Sequence, residues 1–234
     1  MAFWSSRKSD PLANGGDFEL INSSKEFQKE MSALWSNIRK NVSDDSLPGT
    51  FALCSASAGE GCTTITLGLG MFASKHSHKK VVLVDTQLEN LYLTDFLSYN
   101  YPELLMEENS GYQNVGFREY RLATRNLRFI QITNPEILHY SEENESSFDT
   151  FLMFLRNSYE YIFFDCPPVL SSPVPNFLAE KLDYVIFVVS AARLNQRRLV
   201  TAINNVSSDK EKLLGVVMNK RQNVLPRFIN RLIS

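Results

Sequence analysis

The chain has 234 residues, 44% of them hydrophobic and 12% aromatic, which is enough to bury one sizeable core. Its 24 Lys and Arg against 26 Asp and Glu give a formal net charge of −2, so no overall field favours nucleic acid as the main partner. No apolar run approaches the roughly 20 residues of a membrane-spanning helix. With three cysteines in no metal-ligand spacing, the chain is expected to work in the reducing cytosol.

The first residues are rich in Ser, Gly, Pro and charge. They predict a flexible arm over residues 1–17, followed by a single domain over 18–234. An amphipathic helix is predicted to begin near Ser24 and to end before Pro48, because apolar residues recur at helical spacing: Phe27, Met31, Leu34, Trp35 and Ile38.

Six apolar runs then predict strands, at residues 51–55, 81–85, 129–132, 161–165, 184–190 and 213–219. Segments long enough for crossover helices separate several of them, at 63–74, 148–158 and 197–206. Because the runs are continuously apolar, both faces of the sheet should be covered. The sequence therefore predicts an α/β fold with a doubly wound, mostly parallel sheet and helices on both faces. The acidic residues Glu142, Glu143 and Glu145 are predicted to lie in a solvated loop.

A candidate phosphate-binding loop, SASAGEGCTT, follows the first predicted strand and opens a predicted helix. Small residues there allow backbone N–H groups to converge on phosphate oxygens, and a hydroxyl at Thr63 can ligate Mg²⁺. A glycine-rich turn of this kind also occurs in proteins that bind no nucleotide. The candidate nucleotide-binding residues of the loop are Gly59, Glu60, Gly61, Cys62, Thr63 and Thr64.

Two aspartates end apolar runs, Asp85 after VVLV and Asp165 after YIFF. Ligands of a parallel sheet bind outside the carboxyl ends of its strands. Asp85 and Asp165 are therefore predicted to lie near the loop, where they could hold Mg²⁺ together with Thr63. Helix capping is the alternative role for such aspartates.

In this order and spacing the chain resembles the deviant-Walker P-loop proteins, which include ParA and MinD, and most closely the bacterial tyrosine kinases of capsule and exopolysaccharide synthesis. The resemblance spans residues 20–222 and is carried by SASAGEGCTT, VVLVDTQLE, YIFFDCPPVLSSP and LLGVVMNK. It implies ATP or ADP with Mg²⁺ as ligands and places Asn219 near the adenine. It also implies a membrane polysaccharide co-polymerase as partner and assembly into homo-oligomers.

The chain departs from the family at positions that handle phosphate or metal. Family kinases carry lysine at Cys62, proline at Ala58, aspartate at Gln87 and arginine at Glu89, and the ParA and MinD branch carries a signature lysine at Ser57. Phosphoryl transfer depends on positioned positive charge, which a neutral thiol cannot supply. We therefore expect weak nucleotide binding at most, no required cofactor, and no catalytic residue, with Asp85 and Asp165 vestigial.

Cys62 has a second expected property. A cysteine at a helix N-terminus tends toward a lowered pKa, which would make Cys62 the reactive thiol of the chain. Cys54 and Cys166 are predicted to be small buried residues.

Arg193, just after YVIFVVS, is predicted to lie at the same sheet edge as the loop, with Arg197 and Arg198 behind it, and could replace the missing lysine. A solvated basic first turn of a helix is the favoured explanation of these arginines. Lys75, Lys79 and Lys80 are predicted to lie at the opposite edge of the sheet.

The chain also departs from two further features of the family kinases. Their helical assembly motif of one glutamate and two arginines would fall on Glu30, Ala33 and Ser36. Their tyrosine-rich tail, which they phosphorylate, has no counterpart, since no tyrosine follows Tyr184. The sequence favours a pseudokinase or pseudo-ATPase that scaffolds or regulates polysaccharide synthesis. The alternatives are an active ATPase or protein kinase with an unconventional cation, a ParA-like or MinD-like positioning ATPase, and a redox sensor that uses Cys62.

Overall fold

The computed structural model describes residues 24–42, 48–88, 93–95, 97, 106–107, 116–121, 126–138, 142–206 and 210–220. Its helices within those ranges are α1 (Lys25–Asn41), α2 (Cys62–His76), α3 (Glu142–Ser158), α4 (Val174–Lys181) and α5 (Gln196–Val206). Its strands are β1 (Gly49–Ser55), β2 (Val81–Asp85), β3 (Met106–Glu107), β4 (Phe117–Arg121), β5 (Leu127–Ile132), β6 (Tyr161–Asp165), β7 (Tyr184–Ser190) and β8 (Leu213–Asn219). The predicted N-terminal arm lies outside the described residues.

The strands of the described residues form one sheet in the order β3-β4-β5-β2-β6-β1-β7-β8. The six from β5 to β8 along that order pair in parallel, which confirms the six strands predicted from apolar runs. The antiparallel strands β3 and β4 were not predicted. The reason is visible in β4, whose sequence FREYR has three charged residues and therefore no continuous apolar run.

Helices cover both faces of the sheet. On one face α1 and α2 pack over the strand residues Phe51, Leu53, Leu83 and Phe163. On the other face α3, α4 and α5 pack over the alternate strand residues, which include Ala52, Val82, Ile162, Phe164 and Phe187. This arrangement confirms the doubly wound α/β prediction. No helix among the described residues combines the length and the apolarity that crossing a bilayer demands.

Two predictions of local structure have different outcomes. The amphipathic helix is confirmed: Ser24 caps α1, its hydroxyl accepting a hydrogen bond of 3.3 Å from the Phe27 N–H. The predicted loop at Glu142, Glu143 and Glu145 is wrong, because α3 begins at Glu142. Acidic residues are favourable in the first turn of a helix, where the macrodipole is positive, so an acidic run does not by itself indicate a loop.

The carboxyl ends of the central strands meet at one edge of the sheet. Asp85 and Asp165 are direct neighbours in register on β2 and β6, and Ser190 pairs with Asn219 on β7 and β8. The Lys80 N–H, by contrast, donates 2.8 Å to a carboxylate oxygen of Glu160, just before β6 begins. Lys79 and Lys80 thus lie at the opposite edge, as predicted.

Candidate functional site

The loop between β1 and α2 has the backbone shape that its glycines predict. Gly59 and Gly61 have φ values of 77° and 92°, in the left-handed region that favours glycine. A Cβ on Gly61 would lie only 2.1 Å from Asn219 Nδ2. Because α2 begins directly after Gly61, the loop presents a helix N-terminus at this edge. A helix N-terminus favours an anion such as phosphate.

Side chains of the loop and of β8 brace this shape. The Glu60 carboxylate is buried and accepts a hydrogen bond of 2.9 Å from the Ser57 N–H. The Asn219 side-chain amide donates to the Glu60 carbonyl, also at 2.9 Å. Both residues were predicted to bind nucleotide, and both contact the loop itself. Thr64 lies half-buried in the first turn of α2.

The Cys62 thiol points into the core beneath the loop. Its Sγ donates to the Leu53 carbonyl at 3.1 Å, and the residue is 6% exposed. Burial, followed by the nearby charge of Asp165, raises the pKa of the Cys62 thiol well above its ordinary value. The predicted lowering of this pKa is therefore wrong, because desolvation outweighs the helix N-terminus. Cys54 and Cys166 are buried, as predicted.

Asp165 is the centre of a hydrogen-bond network beside the loop. Thr63 Oγ1 donates 2.7 Å to Asp165 Oδ2, and Gln87 Nε2 donates 2.9 Å to the same oxygen. Thr66 Oγ1 reaches Asp165 Oδ1 at 3.4 Å. Gln87 Nε2 also lies 3.1 Å from Thr63 Oγ1, which closes the network. Burial, followed by the charge of Asp85, raises the pKa of Asp165 to about 7.

Asp85 has donors of its own. Its Oδ2 accepts from the Thr94 hydroxyl at 2.7 Å and from the Thr94 N–H at 3.1 Å, and its Oδ1 accepts from the Gln87 N–H at 3.1 Å. Burial raises the pKa of Asp85 to about 6. Asp85 and Asp165 thus lie side by side, as predicted, but separate sets of protein donors satisfy them.

This donor set does not fit magnesium. Mg²⁺ requires oxygen ligands in near-octahedral geometry. The two predicted ligands that do meet, Thr63 and Asp165, both receive the amide N–H groups of Gln87. Within the described part of the chain, moreover, no three His, Cys, Asp or Glu side chains are grouped to hold a metal ion.

Two cations lie close to the top of the loop. Lys220 Nζ donates to the Gly59 carbonyl at 2.7 Å, and a Cβ on Gly59 would lie 3.7 Å from Arg193 Nη1. Arg193 was predicted at this edge, whereas Lys220 was not recognised. Its place directly after Asn219, at the end of a predicted strand, could have put Lys220 at this edge of the sheet, although it does not indicate the contact with Gly59.

Most of the other positions discussed for the family resemblance lie among the described residues. Ser57 and Ala58 line a cavity beside the loop. Glu30, Ala33 and Ser36 are exposed on α1. Glu89 lies outside the described residues.

A parallel sheet with a glycine loop after β1 and aspartates ending two adjacent strands defines a P-loop NTPase-like protein. A family model described as an AAA domain matches residues 50–216, and the chain belongs to that family. Over 200 residues it is 25% identical to the tyrosine-protein kinase CpsD of Streptococcus pneumoniae serotype 4, covering 84% of this chain and 85% of that protein.

Two further comparisons agree. The tyrosine-protein kinase YwqD of Bacillus subtilis is 25% identical over 199 residues, covering 82% of this chain and 81% of that protein. The crystal structure of the chimerical protein CapA2B2 has a TM-score of 0.60 at 21% identity, covering 86% of this chain and 87% of that one. The chain is a P-loop protein similar to bacterial tyrosine kinases, which confirms the resemblance drawn from its motifs.

Proposed function

We propose that this chain is a catalytically degenerate relative of the bacterial tyrosine kinases, a pseudokinase or pseudo-ATPase of the cytosol. In this role it scaffolds or regulates exopolysaccharide or capsule synthesis and export through a membrane co-polymerase partner. ATP or ADP is a weak, structural ligand, and no cofactor is required. Similarity to tyrosine-protein kinases supports the lineage, and the family resemblance supports the polysaccharide partner.

One observation carries this proposal. Where family kinases have a lysine, Cys62 directs a neutral thiol at the Leu53 carbonyl inside the core. Removing one partner from a buried charge pair costs on the order of 3–5 kcal/mol. At about 1.4 kcal/mol per tenfold in rate, that is a loss of roughly two to three orders of magnitude or more. The Gln87 amide, which donates to Thr63 and Asp165, also supports the loss of catalytic Mg²⁺ binding at these two residues.

Turnover is tested against an Asp165→Asn variant. Purified wild type is expected to hydrolyse ATP no faster than this variant and to incorporate no phosphate into its own tyrosines. Hydrolysis well above the Asp165→Asn rate, or tyrosine phosphorylation lost in that variant, would overturn the proposal.

Thermal melting with Mg²⁺ and ATP or ADP tests whether Cys62 alone weakens nucleotide binding. Ligand binding stabilises the folded state by mass action. We expect a larger ligand-induced rise in Tm for Cys62→Lys than for wild type. Because Cys62 is buried, Cys62→Met is the matched control that lengthens the side chain without adding charge. Equal shifts in all three proteins would contradict the assigned role of position 62.

An active ATPase is the second candidate, and a specific observation favours it. Arg193 and Lys220 bring two positive charges to the loop that lacks its lysine. This candidate predicts ATP-dependent dimerisation coupled to hydrolysis. Size-exclusion chromatography with ATP, combined with a phosphate-release assay, distinguishes it from the pseudokinase.

A further inference from the structure

Lys220 is fixed in place by the end of β8. Its backbone adopts φ 53°, an uncommon conformation for a residue other than glycine. Its N–H donates 2.8 Å to the Asn219 side-chain oxygen, while the Asn219 amide holds the Glu60 carbonyl. The Lys220 ammonium then reaches the Gly59 carbonyl at 2.7 Å. The strand end and the loop are thus joined at two points, and the ammonium lies at the top of the loop.

Arg193 approaches the same glycine from β7. It ends the short turn Ala191–Arg193 that follows the strand, and its Nη1 lies 3.7 Å from the position of a Cβ on Gly59. Burial and the charge of Arg193 both lower the pKa of Lys220. The positive charges of Arg193 and Lys220 oppose one another, and the Glu60 carboxylate offsets part of this effect on the pKa of Lys220. An anion bound by both cations would relieve the rest of the repulsion. The neighbouring carboxylate, Glu60, is hydrogen-bonded to the Ser57 N–H.

A cavity of about 330 Å³ opens between the loop and the β7–α5 connection. This volume lies within the range of small-molecule sites, roughly 300–1,000 Å³. Two positive side chains lie in its wall, Arg193 and Arg198, and Arg198 belongs to the first turn of α5. Lys220 is not among the lining residues and reaches the loop at Gly59 from the end of β8. The polar and charged residues that line it are Ser57, Glu60, Arg193, Asn195 and Arg198.

We propose that Arg193 and Lys220 form a phosphate-binding pair at Gly59, which supplies from β7 and β8 the positive charge that Cys62 does not. The ligand class is a polyphosphate anion, such as the di- or triphosphate of a nucleotide. The inference rests on the proposed function, because it names the residues by which a degenerate loop would retain its structural ligand. Binding of this polyphosphate requires only the positive charges of Arg193 and Lys220 and the backbone amides of the loop. It does not require a metal at Asp165.

The experiment measures dissociation constants by isothermal titration calorimetry with ADP, ATP and inorganic triphosphate, each with EDTA and with Mg²⁺. Lys220→Met and Arg193→Met keep most of the side-chain length but remove the charge. Arg197→Met is the matched control, since Arg197 is exposed on α5 outside the cavity lining. We expect each single variant to bind about tenfold more weakly, as for loss of one hydrogen bond to a charged group. Arg197→Met should bind like wild type.

A second set of measurements separates the effect of the positive charge of Lys220 from the effect of its hydrogen bond to the loop. Lys220→Arg is expected to recover most of the affinity lost in Lys220→Met. The affinity of wild type should fall with added salt more steeply than that of the Arg193→Met/Lys220→Met double variant. Binding of all three anions with unchanged dissociation constants in the double variant would overturn the pair, and so would an absence of binding to wild type at millimolar ligand. ATP hydrolysis by the wild type would overturn the pseudokinase while leaving the pair intact.

Discussion

Gln87 Nε2 lies 2.9 Å from Asp165 Oδ2, so a neutral amide binds the carboxylate that the family resemblance assigns to a metal. The same nitrogen is 3.1 Å from Thr63 Oγ1. One side chain thus provides donors to both oxygens that would otherwise be available to Mg²⁺. The resemblance places an aspartate at this position, and an aspartate has no N–H to donate.

We expect Gln87→Asp to make the fold depend on a divalent cation. The change removes the donated hydrogen bonds and adds a third carboxylate beside Asp85 and Asp165, so the free energy of unfolding in EDTA should fall by about 1.5–3 kcal/mol at pH 8. Millimolar Mg²⁺ should restore part of that loss. Urea denaturation with EDTA or Mg²⁺ measures both effects.

Gln87→Ala is the control, because it loses the same hydrogen bonds without adding charge. It should be destabilised in EDTA, and Mg²⁺ should stabilise it less than Gln87→Asp, because Thr63 and Asp165 are freed but no carboxylate is added. Wild type should be unresponsive to Mg²⁺. A wild type stabilised by Mg²⁺ as strongly as Gln87→Asp would show that Gln87 does not exclude the metal.

The buried carboxyls should make stability fall as pH rises. The folded-state pKa is about 7 for Asp165 and about 6 for Asp85, both above the ordinary value of 3.8. Between pH 4 and 7 the unfolded chain therefore releases protons that the folded chain retains. Under proton linkage this contribution to stability is fully present below the ordinary pKa and is lost as pH rises through the folded-state values.

Asp165→Asn replaces the group of higher pKa by one that stays neutral. We expect the stability of this variant relative to wild type to increase between pH 4.5 and pH 8. The difference isolates Asp165 from the other carboxylates of the chain. Urea denaturation at several pH values measures it, and a difference that does not change with pH would contradict the raised pKa.

Gly61 and Asn219 should be energetically coupled. Gly61→Ala places a Cβ in the left-handed region, which costs about 1–2 kcal/mol, and brings it within 2.1 Å of Asn219 Nδ2. In an Asn219→Ala background the steric part disappears and only the backbone strain remains. A double-mutant cycle on free energies of unfolding should therefore show that Gly61→Ala costs less in that background. Simple additivity of the two changes would indicate that Asn219 does not pack over the loop.

The parallel core of the fold could be predicted from local pattern. Continuous apolar runs predicted the six parallel strands. Of these, β1, β2 and β6 are buried along their whole length, because both of their faces are covered. The two glycines of the loop were also informative, since their positive φ is a local backbone requirement. The antiparallel strands β3 and β4 were missed, because three of the five residues of β4 are charged and β3 has only two residues.

The chemistry of the site was decided by contacts between residues far apart in sequence. Cys62 stands at a helix N-terminus, and position alone predicted a lowered pKa, yet the thiol lies in the core and burial raises that pKa. Similarly, the sequence shows that Gln87 replaces an aspartate, but only the fold places its amide between Thr63 and Asp165.

Lys220 is the clearest case of this division. It follows the apolar run that predicted β8, and nothing in its neighbours along the chain indicates that its ammonium bonds to Gly59, 161 positions away. Local sequence determines backbone conformation and which residues are buried, because those depend on periodicity and side-chain type. Desolvation and charge pairing depend on which atoms are brought together in space, and only the tertiary structure determines that.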